Sequence, residues 1–245
     1  MGDEPAIGIY GSAGRMGRAI AEALPGLGAQ LAGGCDADDD PAALARTADV
    51  LVDFSTPAAL QANLAAARGA GTPVVIGTTG LTGAHHDLID RAAAEIAVLQ
   101  TGNTSLGVTL LAGLVREAAR RLGPEWDIEI VEMHHREKVD APSGTALLLG
   151  QAAAEGRGEE LGCDSVPGRA GLTGRRIEGT IGFASLRGGT VAGDHQVVFA
   201  GDGERVELGH RAESRTIFAR GAVRAALWLK DQPPGRYTMP QVLGL

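Results

Sequence analysis

Short apolar runs alternate with alanine-rich stretches of helical periodicity through the first part of the chain. The runs AIGIYG, AQLAGGCD, ADVLVDFS, TPVVIGTTG and IAVLQTGN end in small or polar residues and read as strands. Between them GRMGRAIAEAL, PAALQANLAAARGAG and GAHHDLIDRAAAE read as helices. Strands alternating with helices predict parallel βαβ units with both sheet faces covered. Such sheets bind ligands beyond the carboxyl ends of their strands, which is where GSAGRMG, STP, GTTG and TGNTS fall.

After Ser105 the rhythm changes. LGVTLLAGLVREAARRLG predicts one longer helix, WDIEIVEMHH alternates as a strand does, and SGTALLLGQAAAE predicts another helix. The pieces RRIEGTIGFASLR, GTVAGDHQVVFAG and ERVELGHRA follow across glycine-rich turns, which predicts a mixed, largely antiparallel sheet and a second domain of α+β type. Residues 155–173, rich in glycine and charge, are expected to form a mobile loop. SRTIFARGAVRAALWLKD predicts a helix N-capped by Ser214 that returns to the first domain. The expected division is therefore 1–104 with 214–245, and 105–213.

A chain of 245 residues can bury either one large core or two modest ones. With 37 glycines and only 3% aromatics, that core should be mainly Ala, Val, Leu and Ile. The net charge of −8 argues against nucleic acid as a partner, because phosphate neutralisation needs clustered Lys and Arg. An anionic ligand would need a local positive pocket instead. Cys35 and Cys163 lack metal or disulfide spacing and read as free buried thiols. No basic segment leads into an apolar run at the N-terminus, and no apolar stretch approaches the ~20 residues that span a bilayer. The expectation is a cytoplasmic protein with no membrane partner.

IGIYGSAGRMGRAI sets Gly11, Gly14 and Gly17 between a strand and a helix. Glycine lets the backbone turn tightly and approach a pyrophosphate, and the helix N-terminus offers free N–H groups. The spacing GxxGxxG also fits a plain strand-to-helix turn. Asp36 closes the second strand, where an acid hydrogen-bonds ribose hydroxyls. The run DADDD equally fits a solvated acidic turn. The two features together point to a dinucleotide. No Arg or Lys follows Asp36 until Arg46, so NADH is expected in preference to NADPH; Arg15 is the residue that could admit NADPH.

The stretch EMHHREKVDAPSGTA gathers the remaining chemistry. His134 and His135, as strand neighbours, point to opposite faces and are poorly placed to share a metal; no metal is expected. Either histidine alone reads as a satisfied group at a strand end. Lys138 adds a second proton-carrying cation to the same turn, and imidazole and ammonium groups are the usual proton donors near neutrality. Pro142 fits an early helical position, and the Ser143, Gly144 and Thr145 amides at that helix start suit a carboxylate or phosphate, with simple capping as the plainer reading. A dinucleotide, a proton donor and an anion clamp describe hydride transfer to a small anionic substrate.

GSAGRMGRAI, VDFSTP, GTTGL, GNTSLGV, EMHHREKVDAPSGTA, IGFASLRGGTVAGDHQVVFAG and HRAESRTIFARGAVRAALWL together resemble the 4-hydroxy-tetrahydrodipicolinate reductase (dihydrodipicolinate reductase) family, in order and over essentially the whole chain. That resemblance implies a Rossmann-type dinucleotide-binding domain and a mixed-sheet domain for substrate binding and homotetramer formation. It implies reduction of a cyclic imine dicarboxylate by NADH or NADPH, with loss of water, in diaminopimelate and lysine biosynthesis. By the same resemblance His134 is the proton donor/acceptor and Lys138 a proton donor, while His135, Ser143, Gly144 and Thr145 hold the substrate. Gly11, Ser12, Ala13, Gly14, Arg15, Met16, Asp36, Gly77, Thr78, Thr79, Thr101, Gly102, Asn103 and Thr104 match cofactor-binding positions. Thr104 departs from the family, many of whose members have an aromatic residue there, against the nicotinamide.

Other polar residues carry plainer expectations. His85 and His86 should be exposed at a helix start. His195 and His210 read as structural or near an interface. Arg187 fits either the substrate carboxylates or a turn, and Trp126 and Trp228 fit the core. An amino-acid dehydrogenase, or a non-catalytic NAD-sensing protein on the same scaffold, would lack the His134–Lys138 block.

Overall fold

The computed structural model describes residues 4–162 and 165–245, so Cys163 lies outside the described residues. Strands β1 (Ala6–Tyr10), β2 (Gln30–Cys35), β3 (Val50–Asp53), β4 (Val74–Ile76) and β5 (Ala97–Gln100) alternate with α1 (Arg15–Ala23), α2 (Pro41–Ala45), α3 (Leu60–Ala70) and α4 (Gly83–Ala93). Then come α5 (Leu106–Leu122), β6 (Asp127–His134), α6 (Gly144–Arg157), β7 (Ser165–Val166), β8 (Ile181–Arg187), β9 (Gly193–Gly201) and β10 (Glu204–Ala212). The chain closes with α7 (Thr216–Leu229), β11 (Gly235–Tyr237) and α8 (Met239–Val242). Two compact units result: residues up to Leu106 with Thr216–Leu245, and Gly107–Arg215.

In the first unit the strands pair in the order β11-β5-β4-β3-β1-β2, every pair parallel. Successive side chains leave a strand on opposite faces, so a sheet covered on both sides needs apolar residues at every position. VLVD in β3 is buried throughout. Ile7, Ile9, Val50, Val52, Val75 and Leu99 pack with α1, α7 and α8, and Tyr10, Leu51, Val74, Ile76 and Val98 pack with α2, α3 and α4. Each such side chain contributes roughly 1.5–3 kcal/mol on burial. β1 lies between β2 and β3, so the chain reverses direction across the sheet there, and the crevice at that switch point is where such folds bind ligands.

Helix α7 joins this unit because its small residues let it come close: Ala219, Ala222, Val223, Ala225, Ala226 and Leu229 are all fully buried. A Cβ on Gly221 would run into the Thr104 carbonyl oxygen. The helix begins at Thr216 rather than directly after Ser214.

The second unit has a five-stranded sheet in the order β10-β9-β6-β8-β7. β6 pairs antiparallel with β9 and parallel with β8. The parallel part arises because the connection from β6 runs through α6, a crossover that brings the next strands back in the same direction. α5 presents Val108, Leu111, Ala112, Val115 and Ala119 at helical spacing. All but Val108 join Ile128, Ile130, Phe183, Val197 and Phe199 of the sheet and the alanines of α6 in one core. Trp126 packs half-buried at its edge, as Trp228 does on the core of the first unit.

Several local expectations are corrected. α6 runs on to Arg157 and is closed by Gly158 at φ 76, and Ser165–Val166 form β7, so the irregular segment is shorter than 155–173 and is interrupted by a two-residue strand. Arg157 anchors this end of the helix on the Gly179 carbonyl. Pro142 precedes the N-cap instead of opening the helix. His85 and His86 are half-buried, not exposed. His85 Nδ1 accepts the Thr82 N–H at 3.0 Å, closing the start of α4, and Arg236 Nη2 reaches His86 Nδ1 at 3.0 Å. Among the described residues no helix is long and apolar enough to cross a membrane.

Gly221→Ala should force α7 off the Thr104 peptide and cost about 3 kcal/mol, the upper end of ordinary overpacking. Thermal unfolding followed by circular dichroism checks this; a melting point unchanged from that of the parent would show that the helix can slide at no cost.

Candidate active site

The glycine turn after β1 is shaped by close backbone approach. Gly11 has φ 79, and a Cβ there would sit 2.7 Å from the Phe54 carbonyl oxygen. A Cβ on Gly17 would meet the Gly11 carbonyl. Gly14 occupies the N-cap of α1 with no side-chain cap, so the first-turn N–H groups at Arg15 and Met16 point outward at the positive end of the helix dipole. Asp36 at the tip of β2 accepts from Ser12 Oγ at 2.7 Å and from the Ala13 N–H at 3.1 Å. The acidic run is more than a solvated turn: Asp39 accepts the Asp36 N–H, and Asp40 caps α2 through Ala42. A cleft of about 590 Å³ opens among Gly11, Gly14, Asp36, Phe54, Ser55 and Thr56.

The other residues expected on the cofactor side follow β4 and β5. Thr78 is buried and its hydroxyl donates to Asp53 Oδ1 at 3.0 Å, within a network that also holds Ser55 and Asn63. Gly77 is glycine because a Cβ would strike the Phe54 ring, and Thr79 is exposed. Thr101 Oγ1 and the Asn103 backbone bond each other, Asn103 Oδ1 accepts the Ser105 N–H at 2.9 Å, and Gly102 is exposed. Thr104 is buried, and its hydroxyl donates to the Phe218 carbonyl at 2.7 Å. Its side chain therefore ties the turn to α7 rather than lining a surface. These residues share the carboxyl edge of one sheet and fit a dinucleotide: a bare helix start for phosphates and a carboxylate for ribose hydroxyls.

In the second unit the sheet register assembles a cluster around His134. Alternation puts Glu132 and His134 on the same face of β6, and His134 Nδ1 lies 2.6 Å from Glu132 Oε2. The Glu132 side chain is wholly inaccessible. Arg187, paired in register with His134, forks onto it: Nη2 to Oε1 at 2.8 Å and Nη1 to Oε2 at 2.9 Å. Burial works to raise the Glu132 pKa, but the hydrogen bonds from Arg187 and His134 outweigh it and hold the carboxyl below its ordinary value. Arg187 Nη2 also donates to the Asp140 carbonyl at 2.6 Å. It thereby ties β6 to the turn that carries Asp140.

On the other side His195 stands edge-on to His134, ring centroids 5.1 Å apart at 75°. His195 Nε2 lies 3.0 Å from Ser143 Oγ, which accepts the Ala146 N–H and so caps α6. Gly144 and Thr145 form that helix's first turn. His195 is thus part of the cluster, which spacing along the chain did not reveal; its signal is the strand alternation of β9. Burial, then the neighbouring His134, push its pKa down to about 4. Lys138 Nζ bonds both Asp140 oxygens at 2.8 and 2.9 Å, and these bonds hold the Asp140 carboxyl below its usual value. His135, half-buried beyond the end of β6, meets Arg215 Nη2 at 2.9 Å through Nε2. His210 is half-buried with its Nδ1 enclosed.

A doubly wound parallel sheet with a glycine turn and an acid-tipped second strand, followed in the chain by a cluster of proton-carrying groups at a helix start, defines the class of two-domain pyridine-nucleotide-dependent reductases. Family models for the N-terminus and the C-terminus of dihydrodipicolinate reductase match residues 6–104 and 107–243, and the chain belongs to that family. It is 60% identical to the 4-hydroxy-tetrahydrodipicolinate reductase of Zymomonas mobilis over 98% of this chain and 97% of that one. It is 51% identical to the enzyme of the same name from Rhodopseudomonas palustris, over 97% and 96%. Among solved structures, dipicolinate-bound dihydrodipicolinate reductase from Paenisporosarcina sp. TG-14 shares the fold with a TM-score of 0.75 at 24% identity, covering 96% of this chain and 97% of that one.

The depressed His195 pKa has a consequence for stability. Folded His195 titrates near 4 and an unfolded histidine near 6.5, so the unfolded chain binds the extra proton between those values. Stability should be undiminished above pH 6.5 and fall as pH drops towards 4, by roughly 3 kcal/mol from this residue. Urea unfolding of the parent and of His195→Asn at pH 7 and pH 4 isolates the effect, since carboxylate titration cancels in the comparison. Equal losses in the two proteins would refute it.

Proposed function

We propose that this chain reduces 4-hydroxy-tetrahydrodipicolinate to tetrahydrodipicolinate with loss of water, in diaminopimelate and lysine biosynthesis. The observation that carries the reading is the cluster of His134, Lys138 and the start of α6, in a chain 60% identical to a reductase of that name. The bound nicotinamide supplies the hydride. The adenine half of the dinucleotide would fit the cleft at Asp36, and its pyrophosphate would fit the uncapped first turn of α1.

Adding hydride to a carbon conjugated with a C=N bond leaves an electron pair that must be protonated. His134 delivers that proton, and Lys138 is the second donor. His135, Ser143, Gly144 and Thr145 hold the carboxylates, the last two at the positive end of α6. The Paenisporosarcina relative was solved with dipicolinate bound, a dicarboxylate of the shape this reading calls for. NADH is preferred over NADPH, because Asp36 and Asp39 line the adenine-side cleft and would repel a 2′-phosphate. The enzyme is a homotetramer formed through its second unit, whose sheet packs one face against α5 and α6. The buried free thiol Cys35 suits a cytoplasmic setting.

The test couples the purified chain to the preceding synthase, with pyruvate and aspartate semialdehyde, and follows loss of NADH or NADPH. Synthase-dependent oxidation is expected, with the higher kcat/KM for NADH. His134→Gln and Lys138→Ala should each lower turnover on the order of 10²-fold, as lost acid catalysis does. Near-normal turnover in both variants would remove these residues from the mechanism, and absence of oxidation with either cofactor would refute the reaction itself.

A further inference from the structure

Resting on the reading of His134 as the proton donor, we infer that Glu132, clamped by Arg187, is the positioning residue that keeps a proton on His134 Nδ1 and leaves Nε2 as the nitrogen facing the substrate. The geometry leaves little freedom. Both Glu132 oxygens are already engaged by the Arg187 fork, and a carboxylate so held accepts hydrogen bonds but donates none. His134 Nδ1, 2.6 Å from Oε2, therefore has to be the donor.

The opposite edge of the ring is kept clear. A Cβ on residue 193 would stand 3.0 Å from His134 Nε2 and 3.5 Å from His195 Cε1. Gly193, at φ 155, supplies no such atom. His195, edge-on and bonded to the α6 cap, holds the ring plane. When Nε2–H gives its proton to the substrate, the Nε2 lone pair is left behind and Nδ1–H stays with Glu132, whose carboxylate never takes the proton. Arg187 extends the same support to the second donor, since its Nη2 also holds the Asp140 carbonyl and Asp140 grips Lys138.

Glu132→Gln tests this on the full chain. Arg187 has only donors, so the carbonyl of the introduced amide would turn towards it and the amide NH2 towards His134 Nδ1, forcing the proton to Nε2. Long-range 1H–15N correlation on histidine-labelled protein should show neutral His134 protonated on Nδ1 in the parent and on Nε2 in the variant. Turnover should fall at least ~10²-fold, because with the amide NH2 donating to Nδ1 the imidazolium that gives up its Nε2 proton can no longer form, and a neutral ring losing that proton would have to leave as imidazolate. KM should change less than about threefold, since the substrate-holding residues are untouched.

A parent ring protonated on Nε2 would overturn the inference, and so would a variant that keeps its turnover within twofold. If Glu132→Gln fails to fold, Glu132→Leu with Arg187→Met removes both charges together, a replacement buried ion pairs often tolerate. That double variant should fold, show no fixed tautomer and lose turnover to the same extent; normal turnover there would equally sink the idea. The tautomer readout does not depend on catalysis, so a failure of the His134 assignment itself would show separately, as an active His134→Gln.

Discussion

Burying the Glu132 carboxylate is the constraint around which the second unit is arranged. An ionised group with no solvent contact is tolerated only when its charge is matched and its oxygens are hydrogen-bonded. β6 meets this with Arg187 of β8 and with its own His134. Its parallel pairing with β8 sets Arg187 level with His134, and its antiparallel pairing with β9 sets His195 level with Glu132. A sheet of one kind would serve only one flank in this way. A one-residue slip of β8 would turn Arg187 to the opposite face and leave the carboxylate uncompensated, at a cost of about 3–5 kcal/mol for a broken buried pair, and a slip of β9 would take His195 away from the His134 ring. The ion pair is thus a register lock for β6 and β8.

The first unit solves a different problem. It has to bring backbone amides close to a phosphate, and there the useful feature is missing side-chain volume. Gly11 against Phe54, Gly17 against Gly11 and Gly221 against Thr104 are all contacts a Cβ would forbid. The last of these fixes the turn after β5 from behind, with the Thr104 hydroxyl bonded to the same helix. Asp36 shows how such an edge stays poised. Its carboxylate rests on Ser12 and the Ala13 amide, so a ribose hydroxyl can exchange with a partner of similar chemistry and leave no bare charge.

The βα alternation, the long helix α5 and the β6–α6 motif were legible because each carries a strong period over many residues. The short elements α2, β7, β11 and α8 were not, for two to five residues hold no period. Local cues existed even there: Asp40 before Pro41 is an N-cap before an early helical proline. Candidate residues in the glycine turn and in EMHHREKVDAPSGTA could be read from spacing. Arg187 and His195 could not be joined to them, because they reach Glu132 and His134 through strand register across fifty residues or more. One signal was nevertheless present in β6. Alternation puts Ile128, Ile130, Glu132 and His134 on its buried face, and an acid in that row needs a cation opposite it.

The two proton carriers also share their support. Arg187 places two nitrogens on Glu132 and a further bond of Nη2 on the Asp140 carbonyl, and Asp140 holds Lys138 with both oxygens. A shift of this one guanidinium would move the partner of His134 and the partner of Lys138 together. Groups linked through a common partner do not contribute independently, and their losses do not add. In the proposed reaction a proton from either residue reaches the same substrate, and a common brace would keep the two donors in a constant relation. The buried carboxylate and the lysine are, in this sense, two ends of one device, and the charge at its centre is the Arg187 guanidinium.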